Sequence, residues 1–170
     1  FLNHLNSKPF VLTVYDSIHE KYPEIINSID KTLEHKKLLL SNADLIIAIS
    51  ESTKNDLIKL YNIPSEKIEV THLAASINKS LASTSQKENL PEKYILFVGN
   101  RDFYKNFNNF ILAVEPLLEE HKDLFLICAG GGIFTKEEEK FFQSKQVENK
   151  ILHSGADDIT LATLYANALA

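Results

Sequence analysis

Methionine is missing from all 170 residues, there is one cysteine, and glycine is scarce at five. The lone cysteine, Cys128, has no partner for an intrachain disulfide and no companions for a multi-thiolate metal site. Lying inside the apolar run Leu124 to Ala129, it reads as a buried, inert thiol. Long apolar runs are missing too: stretches such as Leu45 to Ile49 fall far short of the roughly 20 residues a membrane span needs. No signal-peptide pattern opens the chain, so the expected location is the cytoplasm. A positive balance is also lacking. With a net charge of −5 and a pI near 5.7, the surface as a whole does not attract nucleic acid, and any polyanion must be met by local charge. The six histidines are scattered without metal-ligand spacing, and no internal repeat or low-complexity tract is present. The composition, 44% apolar and 24% charged, excludes disorder and suits one ordinary core or two small ones. Because the chain opens on Phe1 and stops at Ala170 inside an apolar period, its ends are expected to be cut rather than natural.

What is present alternates between strand and helix. Pro9 to Tyr15 is a β-rich run that ends in the polar pair Asp16 and Ser17. Ile25, Ile26, Ile29 and Leu33 then recur at helical spacing in a segment that continues to Leu40. Leu45 to Ile49 is apolar without alternation, the pattern of a strand covered on both faces. Ser50 or Ser52 can cap a helix whose buried stripe is Leu57, Ile58, Leu60 and Tyr61 and which Pro64 ends, and Ile68 to Leu73 is the next strand. The polar stretch from Ala75 to Glu92 reads as a linker. The alternation then resumes with strands at Tyr94 to Val98, Leu124 to Ala129 and Ile151 to His153. Helices are expected from about Asn106 to Glu120, from Thr135 and from Asp158. Pro116 inside the first should cost about 3 kcal/mol or kink it. Thr135 and Glu138 form a capping box, Phe141 and Phe142 pack inward, and Leu161, Leu164, Tyr165 and Ala168 mark the last buried stripe. The fold class is α/β, with units at 1–76 and 93–170 joined by a linker at 77–92.

Ligands of open α/β sheets bind at the carboxyl ends of strands, so those ends hold the candidate residues. Gly99, Asn100, Arg101 and Lys105 follow one strand and precede a helix N-terminus whose dipole favours anions. A phosphate fits there, although spacing alone favours two solvated loop charges. Gly130, Gly131 and Gly132 follow the next strand, where a ligand could approach the backbone closely or the chain could simply turn. His153 and Ser154 lie third on that edge, and Tyr15 and Asp16 end the first strand of the other unit. The chain has no G-x-G-x-x-G fingerprint, Walker loop, nucleophile elbow, H-E-x-x-H or D-x-D pair. Asp157 and Asp158 read as caps of the final helix.

Taken together, these segments resemble family 4 of the retaining glycosyltransferases. Pro9 to Asp16 is similar to the family's strand ending in His-Asp, with Tyr15 in place of the His, and Ala43 to Thr53 is similar to its "AD-ii-vSe-s" segment. Lys67 to Ala75 is similar to the interdomain strand, and Phe97-Val98-Gly99 with Lys105-Asn106 to the "VGR-x4-KN" turn. Ala129 to Gly132 is similar to "vGgG" and Leu164 to Ala168 to "LY-x-x-A". The resemblance implies two incomplete Rossmann-like parallel-sheet units of a GT-B glycosyltransferase, the first on the acceptor side and the second binding the nucleotide sugar. It implies that Arg101, one place after the family's usual arginine, and Lys105 take the phosphates as catalytic cations. Gly99, Asn100, Gly130, Gly131, His153 and Ser154 would bind the nucleotide sugar, and Tyr15 and Asp16 the acceptor or sugar side. The implied donor is a nucleoside-diphosphate sugar, no metal or other cofactor is required, and the acceptor is a glycan or lipid-linked hydroxyl in cell-surface polysaccharide or glycan synthesis. Peripheral association of the intact protein with the inner face of the membrane goes with that role.

A glycine-rich acceptor loop before Phe1 and an E-x7-E pair after Ala170 are also implied, so these 170 residues alone are expected to be inactive. In the implied mechanism negative charge grows on the leaving diphosphate, where Arg101 and Lys105 would each supply about 3 kcal/mol. The leaving phosphate would take the acceptor proton. Two alternatives stay open: a sugar-nucleotide 2-epimerase of the same architecture, and a non-catalytic nucleotide-binding module, which would have Arg101 and Lys105 pointing away from the Gly130 turn. An NAD oxidoreductase is disfavoured by the missing fingerprint.

Overall fold

The structure, a computed structural model, describes residues 8–25, 31–83, 88–101 and 105–170. Its contacts divide the chain into Phe1–Ala74 and Ala75–Ala170, each with its own parallel sheet.

In the first unit β1 (Val11–Val14) and β3 (Ile68–Val70) flank β2 (Leu45–Ala48), with Val11 opposite Leu45 and Ile46 opposite Ile68. β2 is apolar without alternation, and its central place leaves Ile46 and Ala48 buried on one face and Leu45 and Ile47 half-buried on the other. A short α1 (Ile18–Lys21) and a 3₁₀ turn at Pro23–Ile25 come before α2 (Thr32–Asn42). Ile26 and Ile29, expected to begin that helix, lie outside the described residues. Ser50 caps α3 (Glu51–Tyr61) by accepting from the Thr53 amide at 3.1 Å, an exchange that satisfies one of the helix's unpaired donors. Asn62, in the left-handed conformation at φ 53°, ends the helix before Pro64 is reached. Ile46, Leu57 and Ile68 are buried at the centre of this core, each side chain contributing about 1.5–3 kcal/mol. Leu60, expected in the stripe, is 46% exposed, since Leu57 already fills the inward position of that turn. β3 is shorter than expected, and Leu73 lies exposed beyond it.

The second unit repeats the plan with β5 (Leu124–Ala129) between β4 (Lys93–Val98) and β6 (Ile151–Ser154). The registers pair Val98 with Ala129 and Ala129 with Ser154, so the three strands end level. α4 (Phe107–Glu120) buries Phe107, Ile111, Val114 and Leu118. Helix continues across Pro116 because the proline and Leu112, whose carbonyl loses its N–H partner, both face solvent. α5 (Lys136–Ser144) starts on the expected capping box of Thr135 and Glu138. It buries Phe142, while Phe141 is half-buried. α6 (Asp158–Asn167) is capped by Asp157, which accepts from the Thr160 amide at 3.0 Å. Of the expected stripe, Leu164 is buried and Leu161 and Ala168 pack beside it against Tyr94, Ile127 and Ala129, while Tyr165 is exposed. Ala162 and Thr163 are buried as well. The 3₁₀ turn Lys79–Leu81 packs against α6, and the Ser83 amide donates to Thr163 Oγ1 at 2.8 Å. Cys128 is buried between α4 and α5, and burial pushes its thiol up to about 12.

Candidate functional site

Because β4, β5 and β6 end level, the turns after them meet. The Gly99 amide donates to Ala129 O at 2.9 Å and the Gly130 amide to Ser154 O at 3.3 Å, extending the sheet one residue into each turn. A Cβ on Gly130 would lie 3.6 Å from the Ala156 methyl and 3.8 Å from Gly99 Cα, ordinary contact distances that place the three turns side by side. Gly130, Gly131 and Gly132 have φ of 85°, 68° and 74°, conformations that other residues adopt only at a cost. At Gly131 a Cβ would sit 2.8 Å from Arg101 Nη1 and 3.1 Å from Gly99 O. Gly99, Gly130, Gly131, Ser154 and Arg101 are therefore brought together at one sheet edge. Asn100 is exposed beside them, and the Lys105 side chain folds over Gly99, its Cε 3.9 Å from where a Gly99 Cβ would be. Asn106, at φ 55°, leads into α4 without a side-chain cap on the helix amides. His153 is exposed, with its ring edge-on to Phe134 at 5.7 Å.

Arg101 is withdrawn from solvent. Its side chain is 4% exposed, with Nε 2.6 Å from Glu138 Oε1. Nη1 donates to Gly130 O at 2.8 Å, and Nη2 donates to Gly132 O at 3.0 Å and Ile133 O at 3.2 Å. The guanidinium stands 4.9 Å from the Phe134 ring centroid and 5.9 Å from that of Phe107, within cation–π range. Arg101 thus points into the glycine turn. Burial alone would raise the Glu138 carboxyl, but the bonds from Arg101 and from Thr135 outweigh it and hold the group below its ordinary value. Glu138 was legible only as half of the capping box. That role accounts for it fully from spacing, so nothing in the sequence signals its second partner.

In the first unit Tyr15 and Asp16 line an open cleft of about 330 Å³ together with His19, His35 and Lys36. The backbone there is pinned from two sides. Thr53 Oγ1 donates to Tyr15 O at 3.0 Å, and Lys36 Nζ donates to Asp16 O at 2.6 Å. Lys36 also pairs with Glu20 at 2.7 Å, and Glu20 accepts the Tyr61 hydroxyl, whose pKa rises through burial and this contact. The Tyr15 ring is exposed, while Asp16 Oδ1 accepts from the Ile18 amide at 3.1 Å. Sequence reasoning missed Glu20, Lys36 and Tyr61, which lie too far apart in the chain to form a motif. Among the described residues no group of three His, Cys, Asp or Glu is placed to hold a metal, and no helix is long and apolar enough to cross a membrane.

The pattern of turns has a counterpart in known proteins. The model described as Glycosyl transferases group 1 matches residues 78–170, and that described as Glycosyltransferase Family 4 matches residues 2–78. The chain belongs to the group 1 glycosyl transferases. Over 121 residues it is 30% identical to an N-acetylgalactosamine-N,N'-diacetylbacillosaminyl-diphospho-undecaprenol 4-alpha-N-acetylgalactosaminyltransferase of Campylobacter jejuni, covering 71% of this chain and 32% of that protein. An uncharacterized glycosyltransferase of Methanocaldococcus jannaschii is 24% identical over 179 residues, 98% of this chain and 46% of that one. The chain thus spans between 32% and 46% of these relatives. Among solved structures, Anabaena Alr3699/HepE in complex with UDP and glucose superimposes with a TM-score of 0.70 at 16% identity, over 98% of this chain and 46% of that one. The two three-stranded parallel sheets are those of the GT-B glycosyltransferase architecture.

Proposed function

We propose that the protein moves a sugar from a nucleoside-diphosphate sugar to an acceptor hydroxyl with retention of configuration. The observation that carries this reading is the convergence of the Gly99, Gly130 and Ser154 turns at one sheet edge, with Lys105 folded over Gly99. As the glycosidic bond breaks, negative charge grows on the leaving diphosphate, and a cation placed there stabilises the transition state more than the ground state. Lys105 and the amides opening α4 supply that charge from the chain, and the scheme asks for no metal. The leaving phosphate accepts the proton of the attacking hydroxyl. His153, exposed and edge-on to Phe134 at the same sheet edge, serves the nucleotide side, and Tyr15 and Asp16 serve the acceptor or sugar side.

A UDP donor is supported by the UDP and glucose held by the Anabaena protein, and a lipid-linked acceptor by the diphospho-undecaprenol in the name of the Campylobacter enzyme. A role in cell-surface glycan synthesis at the cytoplasmic face of the membrane goes with that acceptor. Since the chain spans less than half of its relatives, these 170 residues alone are expected to turn over no donor. The test is release of UDP from UDP-sugars by the full-length protein with polyprenyl-diphosphate-linked sugar acceptors. Turnover that falls roughly a hundredfold in Lys105→Ala supports the reading. Turnover unchanged in that variant, or epimerised donor released without transfer, overturns it.

A further inference from the structure

The Arg101 guanidinium has five N–H groups in a rigid fork: Nε faces Glu138, Nη1 faces the Gly130 carbonyl, and the two hydrogens of Nη2 are shared between Glu138 and the next carbonyls of the turn. Glu138 takes Nε at 2.6 Å and approaches Nη2 at 3.3 Å, a bidentate pair. The remaining edge collects the carbonyls of Gly130, Gly131, Gly132 and Ile133 at 2.8, 3.4, 3.0 and 3.2 Å. Phe107 and Phe134 supply the aromatic contacts. A phosphate could reach this cation only by displacing Glu138 or the turn, leaving a largely buried carboxylate unpaired.

The same geometry has a second side. In a trans peptide the N–H points opposite to the C=O, and none of these peptide bonds is cis. Carbonyls gathered onto Arg101 therefore turn the amides of Gly131, Gly132 and Ile133 the other way, outward from the turn. Successive amides facing one side make an anion-binding concavity. We propose that Arg101 is a positioning residue, which holds the glycine turn by its carbonyls so that the amides of Gly131 to Ile133 receive a phosphate of the nucleotide. Glu138 completes the device by locking the guanidinium to the start of α5. This assignment rests on the nucleotide reading of the site, but it removes Arg101 from direct contact with the diphosphate.

A ligating arginine and a positioning arginine respond differently to the loss of Glu138. The full-length protein is titrated with UDP and with uridine, as wild type, Arg101→Met, Arg101→Lys, Glu138→Gln and the control Lys140→Ala. Amide hydrogen exchange over residues 130–134 is followed in each. Glutamine keeps the capping box, so Glu138→Gln is expected to fold. Positioning predicts that Arg101→Met and Glu138→Gln each weaken UDP roughly tenfold. It also predicts that the double variant is no worse than either, that Arg101→Lys fails to rescue, and that exchange at 131–133 quickens in both single variants. A UDP affinity lost in Arg101→Met and kept in Glu138→Gln, with exchange unchanged, overturns the proposal in favour of direct ligation. If wild type binds no nucleotide, the reading of the site fails, while exchange still decides whether Arg101 holds the turn.

Discussion

Lys36 pairs with Glu20 at 2.7 Å and, from the same ammonium, donates to the carbonyl of Asp16 at 2.6 Å. One side chain thereby ties α1 and α2 to the carboxyl end of β1, where Tyr15 and Asp16 are offered to the cleft. The side chains of Lys36 and Glu20 are 17% and 9% exposed. Breaking a fully buried pair costs about 3–5 kcal/mol and an exposed one almost nothing, so Lys36→Met should destabilise the protein by roughly 1–3 kcal/mol. Lys37→Met, on the exposed side of the same helix, should change stability by less than about 0.5 kcal/mol. Urea midpoints of the two variants check this, and equal midpoints would refute it.

Acid should loosen both units through their buried carboxylates. For Glu20 and Glu138 burial is the largest influence and raises the carboxyl. Hydrogen bonds from Lys36 and Tyr61 in one case, and from Arg101 and Thr135 in the other, outweigh it, and both groups fall below the ordinary 4.5. A carboxyl lowered by folding lends stability that is fully present above pH 4.5 and is lost as pH falls through the folded values. Denaturant midpoints between pH 7 and pH 3 should drop steeply for wild type and less steeply for Glu20→Gln and Glu138→Gln. Parallel slopes in all three would show that neither carboxylate is responsible.

The glycine turn offers a comparison of two neighbours with nearly the same backbone. Gly131 and Gly132 have φ of 68° and 74°, so alanine at either should cost about 1–2 kcal/mol from the left-handed conformation alone. Only at Gly131 does the added methyl also meet atoms, Arg101 Nη1 at 2.8 Å and Gly99 O at 3.1 Å, whereas at Gly132 it enters open space. Gly131→Ala should therefore lower the melting temperature more than Gly132→Ala. The reverse order would mean that Arg101 does not stand where the structure puts it.

Cys128 is 1% exposed and its thiol is pushed up to about 12 by burial, so thiolate is scarce at neutral pH and reagents have no path to it. Native protein should resist a thiol reagent that labels it at once in denaturant. Cys128→Ser, which places a hydroxyl in the apolar cluster of Ile111, Leu126 and Phe142, should cost about 1–3 kcal/mol. Rapid native labelling would show the core to be open.

Where burial or spacing decides a residue's role within a few positions, the sequence was a sufficient guide. The unbroken apolar runs of β2 and β5 marked the central strands, and the Thr135–Glu138 interval and the Asp157–Asp158 pair marked two helix starts. What was not legible depends on partners distant in the chain. Thr163 is buried in addition to the expected stripe of α6 because the segment at Ser83 bonds to it, and Arg101 finds Glu138 37 positions away. Asn62 was overlooked for another reason: Pro64 offered an obvious stop, and the left-handed cap two residues earlier acts first.

The capping box of α5 needs only Thr135 and Glu138, three residues apart, whereas Arg101 must travel from β4 to reach the same carboxylate. Local helix nuclei form within about a microsecond, and contacts across long loops follow later. Glu138 is thus placed by a contact inside its own helix, whereas the shape of the glycine turn depends on one that closes a loop of 37 positions. The segment closest to the proposed phosphate is therefore the part of this unit whose shape depends most on chain distant in sequence.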